Sequence, residues 1–240
     1  MHVEISGPEV RSVFIDPADS ALVVVDMQNK WLKKEGCALA DRGKGAVAGT
    51  VALLEKFRAA GSKIIFIQSV RKPDALEFTA FGHELDITEG TWDAEIIDEL
   101  RPTQGEAVVV KESYDPFNGT SLEEVLHELD LVPCRSQIVV TGVATNVAFD
   151  CAATGFRVRG FVVYVPTDAT AAVSEKEEVI AFRHFIGPNY YNTVATRSDL
   201  VSMAADKVME DPLIGSMLRS DVVFTDPLYK AITSLAASAD

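Results

Sequence analysis

The sequence predicts an α/β fold: three layers, α/β/α, around a mostly parallel sheet of about six strands. Three observations predict it. Short, wholly apolar, β-branched runs recur along the chain, as in Ala21–Val25 (ALVVV) and Phe161–Val165 (FVVYV). Amphipathic helical patterns separate them. The runs do not alternate polar and apolar residues, so both faces of each strand are covered.

Ala21–Val25 is the first strand and ends on Asp26. Val47, Val51, Leu54 and Phe57 follow at helical spacing, and Gly61 supplies a C-cap. Lys63–Gln68 (KIIFIQ) reads as the second strand, and Ser69–Gly90 as a lid or active-site loop. Asp93–Leu100 reads as a short helix stopped by Pro102. Ala107–Val110 is the third strand and ends on Lys111. Thr120 and Glu123 form a capping box for a helix to about Leu129. Gln137–Thr141 is the fourth strand, Gly142–Asn146 a turn into a helix, and Phe161–Val165 the fifth strand. Ser174 and Glu177 form a second capping box, and Thr193–Thr196 closes the series.

The 240 residues are read as one domain, 1–240, with a tail from about residue 205. That tail suits packing on a neighbouring subunit or on its own core. The net charge of −14 argues against nucleic-acid or anionic-membrane partners, which need clustered Lys and Arg. No run approaches the ~18 apolar residues of a membrane span. Met1–Arg11 carries Glu4 and Glu9 and lacks the apolar stretch of a signal peptide, so a cytoplasmic protein is expected. The three cysteines, Cys37, Cys134 and Cys151, make no CxxC pair, which speaks against a zinc ribbon or disulfide scaffold.

Asp26, Lys111 and the Gly142–Ala148 loop each lie just past a strand. In open α/β sheets the ligand crevice lies there, so residues far apart in sequence converge. Alone, a strand-end Asp is often a helix cap and a strand-end Lys a solvated charge. Their joint occurrence marks a site without naming its reaction.

Three stretches carry a resemblance: LVVVDMQNKWL (Leu22–Leu32), VVVKESYDPFNGTSLEEVL (Val108–Leu126) and VVTGVATNVAFDCAATGF (Val139–Phe156). In this order they resemble the motif blocks of the isochorismatase-like cysteine hydrolases, amidohydrolase branch. Gly90–Glu106 is similar to that family too, and the match runs from about Asp16 to Val201. The resemblance implies an Asp-Lys-Cys triad acting on a small amide, ureide or N-carbamoyl compound. Carried over, Asp26 is the general base and acid, and Lys111 holds it and helps form the thiolate. Ala148 occupies the position of the nucleophile. A cis peptide is implied at Val143-Ala144, with oxyanion donors near Ala144 and at Ala148.

Ala148 cannot attack a substrate. Three readings follow: a Cys→Ala form of an active enzyme, a natural non-cysteine member in which Asp26 protonates a vinyl ether, or a catalytically dead binding homologue. Thr145 and Asn146 match the amidase-like branch. Cys151 lies one turn beyond Ala148, about 5 Å along the axis, and reads better as core than as a substitute nucleophile.

Candidate substrate-binding residues are Gln28 and Trp31 at the pocket mouth, Gln68 and Arg71 after the second strand, Trp92, the aromatic pair Tyr114 and Phe117, and Thr145 with Asn146. Arg71 offers a bidentate clamp for a carboxylate; Asp115-Pro116 departs from the small polar residue usual in the family. His83, Asp74 and Glu77 lack the metal-ligand spacing of the nicotinamidases, and His127 and His184 read as structural or exposed. No metal or cofactor is expected. The resemblance implies a homo-oligomer, a dimer or tetramer.

Overall fold

The computed structural model describes residues 8–75, 79–80, 86–185, 192–211, 214–215 and 218. The strands are β1 (Val13–Ile15), β2 (Ser20–Val25), β3 (Lys63–Ser69), β4 (Ala107–Lys111), β5 (Gln137–Val143), β6 (Val162–Pro166), β7 (Thr170–Ala171), β8 (Thr193–Thr196) and β9 (Val201–Met203). The helices are α1 (Asn29–Leu32), α2 (Ala38–Ala60), α3 (Leu122–Glu128), α4 (Ala148–Val158), α5 (Glu175–Phe185) and α6 (Ala205–Val208).

Seven strands form one parallel sheet, in the order β4-β3-β2-β5-β6-β8, with β7 pairing β5. The expected three-layer α/β/α fold is present. Alternate strand residues feed two cores. Leu22, Val24, Phe66 and Tyr164 pack with Leu53, Leu54 and Phe57 of α2. On the other face Val23, Val25, Ile65 and Ile67 pack with Leu122 and Leu126 of α3, Phe149, Ala152 and Phe156 of α4, and Phe182 of α5. Burying each such Leu or Phe stabilises the fold by about 1.5–3 kcal/mol. This two-sided burial is why the strands read as continuous apolar runs.

Gly61 takes φ 67° and ends α2, its N–H bonding Arg58 O. The second capping box forms on its Ser174 side, the Glu177 N–H donating to Ser174 Oγ at 3.3 Å while that hydroxyl donates to Glu177 Oε2 at 3.1 Å. The first forms by half. Thr120 Oγ1 accepts the Leu122 N–H at 3.2 Å, but Glu123 is drawn away to Arg159 at 2.8 Å.

Two expectations need correction. Asp93–Leu100 is not one helix but two 3-10 turns, Trp92–Ala94 and Asp98–Leu100. Between them the backbone is extended because it pairs with the segment after β2: Asn29 N–H bonds Glu95 O at 2.9 Å and Ile97 N–H bonds Met27 O at 3.0 Å. Ser69 is not a loop residue but the last residue of β3, paired with Lys111. A second, two-stranded sheet, β1 with β9, was not foreseen, since strands this short carry no periodicity.

The described start of the tail lies on its own core. Val208 and Ile214 are buried and Arg11 pairs with Asp211 at 2.5 Å. Asp226-Pro227, Glu77 and His83 fall outside the described residues. Among the described residues no helix is long and apolar enough to cross a membrane.

Candidate active site

β2, β3 and β4 are adjacent, and their carboxyl ends deliver Asp26, Ser69 and Lys111 to one place. Asp26 leaves the strand in the left-handed region, φ 51°, which Asp tolerates better than most residues. Its side chain thereby meets β4's last residue. Lys111 Nζ donates to Asp26 Oδ2 at 2.8 Å, to Ser69 Oγ at 2.6 Å and to Ser113 O at 3.1 Å. Ser69 Oγ in turn donates to Asp26 Oδ1 at 3.0 Å. Asp26 and Lys111 are 4% and 1% exposed. Burial pushes the Asp26 carboxyl above its usual range, while the Lys111 ammonium and the Ser69 hydroxyl pull it back.

Val25 pairs with Gly142, so Asp26 stands beside the turn that leaves β5. Gly142 has φ 122°, and a Cβ there would lie 2.0 Å from Val25 O. Only glycine lets β2 and β5 approach this closely. The Val143-Ala144 peptide is cis. Thr145 N–H bonds Ala171 O at 3.0 Å, and the Val147 N–H bonds Ala144 O at 3.0 Å. Ala148 then opens α4, where first-turn N–H groups have no helical acceptor and the helix dipole favours negative charge.

The other expected site residues divide. Gln68 is half-buried, and its Nε2 donates to Ala94 O at 2.7 Å. Trp92 and Tyr114 are exposed, at 52% and 56%. Asn146 is exposed. Trp31 is half-buried, packed on the α2-side core. Arg71 shares Asp86 with Lys30, at 3.0 and 2.8 Å, so its expected carboxylate partner is an internal one.

Gln28 is not at a pocket mouth. It is fully buried, with its amide bonded to the backbone of Ser69 and Ala94. Thr145 is buried too, its Oγ1 2.8 Å from Thr170 Oγ1. Phe117 packs against α4. Its ring stands edge-on to Phe156 at 5.0 Å, with the Arg159 guanidinium 3.7 Å above it.

Cys151 is half-buried on α4. Burial, Asp150 and Asp115 raise its thiol pKa, with Lys111 opposing, so it is held as a thiol. Among the described residues no group of three or more His, Cys, Asp or Glu is placed to hold a metal. A cavity of about 470 Å³ lies over the first half of α2, lined by residues including Arg42, Gly49, Asp168 and Thr170. None of its lining belongs to the Asp26 cluster; Thr170 touches Thr145 of the turn.

Sequence reasoning missed Ser69, although the signal that found Asp26 and Lys111 applied to it: a polar residue ending an apolar strand.

A parallel α/β sheet with an Asp-Lys pair at its carboxyl ends, facing a cis-peptide turn and a helix N-terminus, defines a class of proteins with a strand-end active site. The model of the isochorismatase domain matches residues 20–199. The chain belongs to the isochorismatase family. It is 31% identical over 162 residues to the ureidoacrylate amidohydrolase RutB of Rhizobium rhizogenes, covering 58% of this chain and 64% of that one. The chain thus spans just under two thirds of that relative's length. It is 34% identical over 151 residues to the secreted isochorismatase effector Isc1 of Verticillium dahliae, covering 63% of this chain and 72% of that protein. The crystal structure of N-carbamoylsarcosine amidase from Thermoplasma acidophilum superposes with a TM-score of 0.63 at 27% identity, covering 75% of this chain and 97% of that one.

Proposed function

We propose that the chain carries the frame of an amidohydrolase for small amide, ureide or N-carbamoyl compounds. Asp26 is the proton carrier, Lys111 its charged support, and position 148 the place of the nucleophile. The observation that carries this reading is the buried Asp26–Lys111 contact of 2.8 Å beside the turn into α4. The likeness to a ureidoacrylate amidohydrolase and to N-carbamoylsarcosine amidase supports the choice of substrate class.

With cysteine at 148, the thiol gives its proton to Asp26 and the sulfur attacks the substrate carbonyl. The N–H groups near Ala144 and at position 148 receive the oxyanion. Asp26 returns the proton to the leaving nitrogen. It then takes a proton from the water that cleaves the thioester and returns it to the departing sulfur. Alanine removes the attacking atom and leaves the rest of this frame in place, so the chain is expected to bind such a substrate without turning it over.

The test restores the thiol. Ala148→Cys is assayed for ammonia release from a panel of ureides, carbamoyl compounds and amides. Turnover is expected with cysteine only, and its loss with Asp26→Asn. Absence of turnover above the alanine form, with no effect of Asp26→Asn, overturns the reading.

A second reading needs no nucleophile: Asp26 protonates a vinyl ether such as isochorismate. The burial that raises the Asp26 proton affinity favours it, as does the likeness to an isochorismatase effector. Hydrolysis of isochorismate by the unaltered chain would select it.

A further inference from the structure

Ser69 has no role in the chemistry written above, yet its hydroxyl closes a ring with the two groups that do. Both oxygens of Asp26 are engaged, Oδ2 by Lys111 and Oδ1 by Ser69. An ammonium has three protons, and those of Lys111 have three acceptors: Asp26, Ser69 and Ser113 O. Lys111 therefore has no proton to spare for a substrate while the ring is closed. Ser69 has one proton, directed at Asp26.

The hydroxyl is itself fixed from behind. Gln28 Oε1 accepts the Ser69 N–H at 2.9 Å, and Gln28 Nε2 donates to Ser69 O at 2.8 Å. The β2–β3 ladder runs only to Val25 and Ile67, because Asp26 turns out of the strand. Two residues on, the Gln28 amide replaces the missing peptide group and holds β3 in line as far as Ser69.

We infer that Ser69 is a positioning residue of the reaction, whose hydroxyl orients the Asp26 carboxylate and stabilises its charged form. Each carboxylate oxygen keeps acceptor capacity after its one bond, so the oriented group still receives a proton. The inference rests on Asp26 being the proton carrier. Its test, however, does not depend on turnover.

The chain as it stands, with Ala148, is labelled with 13C at its aspartate carboxyls. The Asp26 resonance is identified by its loss in Asp26→Asn. It is then titrated in the unaltered chain, Ser69→Ala and Ser69→Thr. The groups acting on Asp26 are Lys111 from β4, by charge and hydrogen bond, and from β3 the Ser69 hydroxyl and the Ser69 backbone N–H, which all three forms retain. Ser69→Ala is expected to raise the midpoint by about one pH unit or more, and Ser69→Thr to bring it back. An unchanged midpoint in a folded Ser69→Ala protein overturns the inference. If that variant does not fold, Ser69→Cys, with its weak donor, is read the same way. In Ala148→Cys, Ser69→Ala is expected to move the acid limb of kcat/KM to higher pH. A shifted titration without turnover in any cysteine form leaves Ser69 as the group that orients Asp26 and removes the amidase reading.

Discussion

Gln28 binds Ser69 through both ends of the Ser69 peptide unit, accepting its N–H at 2.9 Å and donating to its carbonyl at 2.8 Å. One side chain thus stands in for a missing rung of the sheet at the floor of the site.

Gln28→Ala is expected to unfold at lower urea concentration than the unaltered chain. It strands a buried N–H and carbonyl of Ser69, where each unpaired buried group costs about 1–3 kcal/mol, while the Ala94 carbonyl keeps Gln68. Gln28→Glu keeps the acceptor but turns an oxygen toward both carbonyls, and is expected to lose at least as much.

Lys111→Met leaves Asp26 buried without its cation, with an expected loss of about 3–5 kcal/mol near neutral pH. The loss shrinks in acid, where Asp26 is neutral. The sign follows from the raised carboxyl. The folded chain retains the Asp26 proton at pH values where the unfolded chain has released it. This contribution to stability is complete below the ordinary value of 3.8 and disappears as pH rises through the higher folded value. Urea midpoints measured across pH are expected to show it as a difference between the unaltered chain and Asp26→Asn that falls with rising pH.

Gly142→Ala places a Cβ 2.0 Å from Val25 O at a φ of 122°. A loss of roughly 3 kcal/mol or more is expected, from steric overlap and backbone strain together. Thermal unfolding measures it, and a loss under about 1 kcal/mol would show that β2 and β5 separate easily.

Phe117→Ala tests packing against substrate contact. The ring lies against Phe156 and under Arg159, and a Cβ on Gly155 would meet it at 2.6 Å. The expected result is a loss of about 1–3 kcal/mol in stability, with KM of the Ala148→Cys form nearly unchanged. A large rise in KM at unchanged stability would restore the substrate-wall role.

The sequence by itself determined the main strands of the sheet, the longer helices that cover it and two of the three residues in the buried ring. Both cores require apolar side chains on each strand face, and that requirement is written in local runs such as Val23–Val25 and Ile64–Ile67. Asp26 and Lys111 were legible because a charge ending such a run has no packing reason to be there. Only the tertiary structure decided what Gln28, Thr145 and Phe117 do. Each is a residue type that serves equally in a pocket or a scaffold, and the difference lies in partners 25 or more residues away: Ser69, Thr170 and Phe156. It also decided Ser69. The position of a small hydroxyl is set by the strands on either side, and no local pattern records which strands those are.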